Sequence, residues 1–249
     1  MMFVLIPPAF IAALFLAMVA LVEAGRRWGH GRTFEGMTTI ETAVFGLMGL
    51  LIAFTFGSAA VRFEARRSLI VQEANNIGTA YLRLDLLPAS SQPPLRDAFR
   101  RYVDTRLAIY RHVPDLERAS AELSRMAQIQ KEIWDGAVAA STDSPPPTRQ
   151  LLLPALNDMI DITTTRTVAF QVHTPGVVFV MLAVVMLACA LLAGLGMSRA
   201  GRSWPHVIAF AAVLTIAFWV ILDLEYPRFG LIRIDWMDRV LVDVRASMR

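Results

Sequence analysis

The sequence has 249 residues, of which 55% are hydrophobic and 18% are charged. This composition excludes an ordinary soluble domain and indicates that lipid is the solvent for much of the chain. The formal net charge of +3 comes almost wholly from arginines beside apolar segments, which fits lipid headgroups better than nucleic acid. The single cysteine, Cys189, excludes both a disulfide framework and a cysteine metal site.

Four apolar blocks have the length of membrane-spanning helices, because roughly 20 residues cross about 30 Å of hydrocarbon. The blocks are residues 1–22, 40–61, 177–197 and 207–222. The first block lacks both a basic start and a small-residue cleavage site, so we interpret it as a retained helix rather than a signal peptide. The sequence therefore predicts an all-α integral membrane protein with four transmembrane helices per subunit.

The second block carries small and large apolar residues at helical spacing. One face, at i, i+4 spacing, holds Gly46, Leu50, Phe54 and Ser58. A second face holds Glu41, Phe45, Met48, Ile52, Thr55 and Arg62. Large apolar residues on either face favour a pore constriction that gates by dewetting. Small residues at this spacing also let membrane helices pack closely, which is the commoner case, so the pattern leaves both readings open.

Charged residues mark both ends of this block. Glu41 lies near the start of the block. A carboxylate inside a membrane span is functional by default unless its side chain reaches the membrane interface. A position so close to the start of the block favours the interface. A charged collar follows the block, formed by Arg62, Glu64, Arg66 and Arg67. A solvated face with intrahelical ion pairs is the ordinary interpretation of the collar, and a vestibule that concentrates ions is the alternative.

Prolines divide the polar segment that follows, residues 62–174, into pieces of helix length. The Pro-rich stretch 141–148 favours extended or disordered chain, so we expect a mobile tip there. No window alternates apolar and polar residues for long enough to predict a strand. The predicted helices are a continuation of the second block to about Leu87, residues 95–112, residues 116–138, and a helix from about Gln150 towards the third block.

No conventional enzyme signature occurs in the chain, whether Gly-x-Ser-x-Gly, a phosphate-binding loop, a dinucleotide fingerprint or a paired-cysteine motif. The four histidines are far apart, and the acidic residues after the fourth block are too sparse for a calcium loop. We therefore expect no enzyme activity, no cofactor and no metal site.

Three stretches carry a resemblance to a known family. They are Arg62-Phe63-Glu64-Ala65-Arg66, Leu156-Asn157 with Asp161 and Arg166, and the stretch from Leu222-Asp223 to Gly230. The chain resembles the bacterial bestrophin-like membrane proteins, and residues 46–66 are similar to the pore-lining second helix of bestrophins. Bestrophins are pentameric anion or cation channels with a large cytosolic helical part. The resemblance therefore implies a homo-oligomeric ion channel, most simply a pentamer. The calcium clasp of animal bestrophins has no counterpart after Leu222, so calcium gating is not implied.

The resemblance places the family's apolar neck in one of two registers. If Arg62-Phe63 sets the register, the neck falls on Gly46, Leu50 and Phe54, with Ser58 on the same path. If Glu64-Ala65-Arg66 sets it, the neck falls on Phe45, Gly49 and Ala53. We prefer the first register because it retains two bulky residues. An acidic ring of Glu41 or Glu64 would then bias the permeant charge.

The chain divides into a first transmembrane hairpin (1–61), a helical extramembrane insert (62–174), a second hairpin (175–223) and a C-terminal tail (224–249). Arginines in the two short loops favour an insert outside the cell. Arginines are more numerous beside the insert and in the tail, and this count favours a cytoplasmic insert and cytoplasmic termini. The resemblance to bestrophins favours the same topology. We adopt the second topology.

We expect a multi-pass protein of the bacterial inner membrane whose partners are the lipid bilayer, inorganic ions and copies of itself, and not nucleic acid. One alternative is a noncatalytic membrane scaffold or stress-response protein whose insert binds a partner. Another is a transporter with Glu41 as its proton carrier.

Overall fold

The computed structural model describes residues 8–32, 37–111, 116–199 and 203–248. Over these residues the chain forms helices and turns and no strand, which confirms the predicted all-α class. The α-helices are α1 (Pro8–Gly29), α2 (Met37–Arg83), α3 (Gln92–Arg111), α4 (Leu116–Ala140), α5 (Pro146–Gln171), α6 (Gly176–Gly196), α7 (Trp204–Glu225) and α8 (Arg239–Ser247).

Four helical stretches are long and apolar enough to cross a membrane, each corresponding to one predicted block. They are Pro8–Gly29, Thr38–Leu86, Pro146–Gly196 and Trp204–Glu225. Hydropathy thus located the four candidate transmembrane segments, because the length of an apolar run is a local property of the sequence.

The first helix extends beyond the predicted block, which ends at residue 22. Its described part runs from Pro8 to Gly29, and residues 1–7 lie outside the described residues. The extension has a local cause, since Glu23 Oε1 accepts from Arg26 Nη2 at 3.0 Å and from Arg27 Nε at 2.7 Å. Ion pairs at i, i+3 and i, i+4 spacing stabilise helical turns, so the charged end of α1 remains helical.

The chain folds as two compact units. The first comprises Met1–Phe63 and His173–Ile232. Its described part contains α1, the first half of α2, α6 and α7, whose apolar side chains form one core. Met18, Met186 and Phe218 are almost completely buried there.

Within this unit, α1 and α6 approach closely because glycines lie at their contact. A Cβ on Gly194 would lie 2.0 Å from the Val22 carbonyl oxygen, and one on Gly25 would lie 2.2 Å from the Leu191 carbonyl oxygen. Backbone atoms occupy these places, so only glycine allows the observed separation. Small residues serve this purpose at many membrane helix contacts.

We expect Gly194→Ala to separate α1 from α6 and to lower the stability of the protein by about 1–3 kcal/mol, the usual cost of overpacking a tight contact. Thermal unfolding of the detergent-purified protein measures the effect. Gly78→Ala in α2 is the matched control, because a Cβ there meets no described atom within 4 Å. It should leave the unfolding temperature unchanged or slightly raised. Equal unfolding temperatures for Gly194→Ala and the wild type would contradict the assignment.

The second unit comprises Glu64–Val172 and Arg233–Arg249. It contains the rest of α2 with α3, α4, α5 and α8, which surround a separate apolar core. Phe99, Tyr102 and Ile133 are fully buried in it. Helices α3 and α4 lie where the spacing of the prolines predicts helices.

The predicted extended tip at 141–148 is wrong. The chain instead turns at 141–144, where the Ser141 amide donates to the Ala137 carbonyl at 2.9 Å, and α5 begins at Pro146. Proline fits the first turn of a helix because the amide it lacks has no partner within the helix there. The proline run is therefore a helix start.

Candidate functional site

A row of exposed side chains runs along the first half of α2. Phe54 is 66% exposed and Leu50 is 51% exposed in the protomer. Gly46 and Ser58 are exposed on the same face. A Cβ on Gly46 would meet no described atom within 4 Å. The four residues that the sequence grouped by spacing therefore share one open face of the protomer, which we call the α2 row.

The second face of α2 lies against the protein, except at Arg62, whose side chain remains 25% exposed. Met48 and Thr55 are each 7% exposed, and Ile52 packs on the core of the first unit. Phe45 meets Phe210 of α7 edge to face, with ring centroids 6.1 Å apart. Phe45 is thus engaged within the bundle, whereas Gly49 and Ala53, the other two residues of the alternative register, are exposed.

A cavity of about 330 Å³ lies beside the α2 row. Phe54, Ser58 and Arg62 contribute one wall from α2, and His173 and Thr174 contribute from the linker between α5 and α6. The lining is apolar at Phe54 and polar at Arg62. About two turns of α2 thus separate the apolar Phe54 from the charged Arg62.

Arg62 is bound by Glu225, the last residue of α7. Its Nε donates to the two carboxylate oxygens at 3.1 and 3.2 Å, and its Nη2 donates to Oε2 at 2.9 Å. The Thr174 amide donates to Oε1 at 2.8 Å, and His173 Nδ1 lies 3.5 Å from the same atom. The Thr174 hydroxyl also contacts the Arg62 guanidinium. One fully buried carboxylate therefore connects α2, α7 and the linker.

The other members of the predicted collar do not form a uniform charged ring. Arg66 is 2% exposed, and it donates to the Ala169 and Val172 carbonyls at 3.0 and 2.9 Å, so it binds carbonyl groups that the end of α5 leaves free. Arg67 pairs with the exposed Glu64 at 2.7 Å. Only this last pair matches the expected intrahelical ion pair, because α5 packs where Arg66 was expected to meet solvent.

Glu41 does not lie on the α2 row. Its side chain is half-buried, and a Cβ on Gly196 at the end of α6 would lie 3.1 Å from its Oε1. Within the described part of the chain, this buried Oε1 has no hydrogen-bond partner. Glu41 thus contacts the end of α6, while Glu64, the other predicted selectivity residue, is exposed.

The acidic turn after α7 is closed by its own backbone. Asp223 accepts from the Leu231 and Ile232 amides at 3.0 and 2.6 Å. A Cβ on Gly230 would lie 1.6 Å from Asp223 Oδ1, so this turn requires glycine. Among residues 8–32, 37–111, 116–199 and 203–248, no group of three or more His, Cys, Asp or Glu residues is placed to hold a metal ion.

The second unit contains a buried charge network. Glu73 accepts from Arg106 Nε at 2.5 Å and from Arg166, and all three side chains are at most 3% exposed. The pKa of the neighbouring Tyr102 is raised by burial, against the opposing charge of Arg106. Buried charges are stable only when they are paired and hydrogen-bonded, so this network sets how α2, α3 and α5 pack.

Sequence reasoning missed Glu225, Thr174 and His173. Arg62 was assigned to the collar, and the acidic residues after the fourth block were judged too sparse for a calcium loop, but Arg62 and Glu225 are separated by 163 residues. One feature of the sequence could have indicated the pair. Arg62 and Glu225 each lie at the end of an apolar block, where charges of opposite sign can meet.

Comparison with known proteins agrees with this fold. Residues 9–235 match the family model of the Bestrophin-like domain. A point mutant of a bacterial bestrophin homolog from Klebsiella pneumoniae has a TM-score of 0.69 and 15% identity, over 95% of this chain and 99% of that chain. Another structure of a Klebsiella pneumoniae bestrophin homolog, phased with zinc, has a TM-score of 0.63 and 17% identity, over 96% and 99% of the two chains. At these identities the likeness shows the fold alone. No curated protein sequence matches the chain.

Proposed function

We propose, from the premise that the chain belongs to the Bestrophin-like family, that it forms an oligomeric ion channel whose pore is lined by α2. The observation that carries this proposal is the α2 row. Two large apolar side chains, Leu50 and Phe54, are exposed on it between the small residues Gly46 and Ser58. Rings of apolar side chains make constrictions that gate by dewetting. Leu50 and Phe54 then form the constriction, and Gly46 and Ser58 line the path on either side of it.

The channel is a closed ring of identical subunits, most simply a pentamer. A single protomer leaves the α2 row open, while the opposite face of α2 is buried in its own bundle. Rotation about a closed axis brings copies of the row together around a common path. The row therefore becomes the wall of a path only in the oligomer.

The apolar parts of the four helical stretches cross the bacterial inner membrane in this proposal, and residues 62–174 form a cytoplasmic helical insert. Both termini lie on the same side as the insert. The surface of the second unit supports an aqueous location for it. Exposed ion pairs on that surface are formed by Arg96, Arg101 and Arg245. Of the two acidic candidates, Glu64 is exposed and Glu41 contacts α6.

Thiol labelling tests whether α2 lines a water-filled path. In a Cys189→Ala background, which removes the single cysteine, we expect Ser58→Cys to react with a charged methanethiosulfonate and the current to fall by about half or more, as bulk and charge enter the path. Ala59→Cys is the matched control, because Ala59 is the next residue on α2 and is fully buried. Equal labelling at the two positions, or labelling of Ser58→Cys without loss of current, would argue against α2 as the pore wall.

A further inference from the structure

Arg62 is the first charged residue after the α2 row along α2. It follows Ser58 by one helical turn and Phe54 by two, and all three side chains line the same cavity. A guanidinium keeps its positive charge at any pH a protein tolerates. If the α2 row lines a pore, as the proposed function states, a ring of Arg62 side chains lies just past the apolar constriction of that pore.

Such a ring would by itself favour anions, because rings of arginine or lysine select anions in pores. The structure supplies a counter-charge for each copy. The Glu225 side chain is completely buried, and its two oxygens accept three contacts from the Arg62 guanidinium between 2.9 and 3.2 Å. The remaining exposed fraction of the Arg62 side chain is 25%.

We propose that Glu225 is a specificity-determining residue of the channel, which neutralises Arg62 beside the constriction and so prevents the pore from favouring anions. Glu225 acts through Arg62, because its own side chain is out of reach of solvent. The Thr174 amide donates to the same carboxylate at 2.8 Å and fixes its position. The ion selectivity of the pore is thus set by the Arg62–Glu225 pair, of which only the Arg62 guanidinium lies near the ion path.

This assignment differs from an acidic ring of Glu41 or Glu64. Glu64 is 64% exposed and is already paired with Arg67, and Glu41 contacts Gly196. Neither residue shares the cavity with Phe54, whereas Arg62 does. The Arg62–Glu225 pair is therefore the ionic group best placed to change the potential at the constriction.

The test is the reversal potential of the purified, reconstituted protein under a KCl gradient. Glu225→Gln keeps the shape of the side chain and removes its charge. We expect the chloride-to-potassium permeability ratio to rise roughly tenfold or more, because each subunit of the ring then has one uncompensated guanidinium acting over about 10 Å in a partly aqueous environment. The double variant Arg62→Gln/Glu225→Gln removes both charges and should return the ratio to the wild-type value.

Asp104→Asn is the control for loss of one carboxylate, since Asp104 is exposed and paired with Arg245. It should leave the ratio unchanged. An unaltered ratio in a conducting Glu225→Gln channel, or a shift that persists in the double variant, would overturn the inference while the channel itself stands. Absence of current in the wild type, with assembly verified, would overturn the proposed function and this inference with it.

Discussion

Phe54→Ala is expected to raise the single-channel conductance about twofold or more, because it removes the largest exposed side chain of the α2 row from a narrow apolar constriction. Single-channel recording in planar bilayers measures the change. The effect should be large because ion movement through an apolar constriction depends on whether water fills it, and a wider ring favours water.

The control for this substitution is Phe56→Ala. Phe56 lies two residues further on α2 and is 45% exposed, but it points away from the α2 row. Its removal should leave the conductance unchanged. Equal conductance in the wild type and Phe54→Ala, with both assembled as the same oligomer, would place the constriction elsewhere.

Glu73→Gln is expected to lower the free energy of unfolding of the second unit by about 3–5 kcal/mol, because it leaves two buried guanidiniums beside a neutral partner. Thermal unfolding of the detergent-purified protein, followed by intrinsic fluorescence, measures the loss.

Glu132→Gln is the comparison for this variant. Glu132 pairs with Arg101 at 2.5 Å, but its side chain is 53% exposed. An exposed pair contributes only about 0–1 kcal/mol, so the unfolding temperature should change little. If the two variants unfold at the same temperature, the buried network does not hold the second unit together.

Properties that depend on local sequence were the most predictable. The four apolar blocks indicated four candidate spans, and the spacing of the prolines indicated α3 and α4, since both signals act within a few residues. The grouping of Leu50 with Phe54 on one face also followed from helical periodicity. Whether that face is open or packed required the structure, because nothing in the block identifies its neighbours.

The features that the sequence did not predict depend on packing between distant segments. Arg62 meets Glu225 only because α2 and α7 lie together in the first unit, and Glu73 meets Arg166 across 93 residues of chain. The end of α5 is a partial exception. We expected its helix to lead towards the third block, but the helix stops at Gln171 and α6 begins at Gly176. Pro175 disfavours a helical conformation at the residue before it, so the break between α5 and α6 could have been predicted from the sequence.

Current through the reconstituted wild-type oligomer under asymmetric KCl is the most direct test of the central claim, that the α2 row lines an ion pore. We predict discrete conductance steps with a reproducible reversal potential from protein whose assembly as a closed ring has been verified by mass. Persistent silence from that same assembled ring would contradict the channel and favour a membrane scaffold whose helical insert binds a partner.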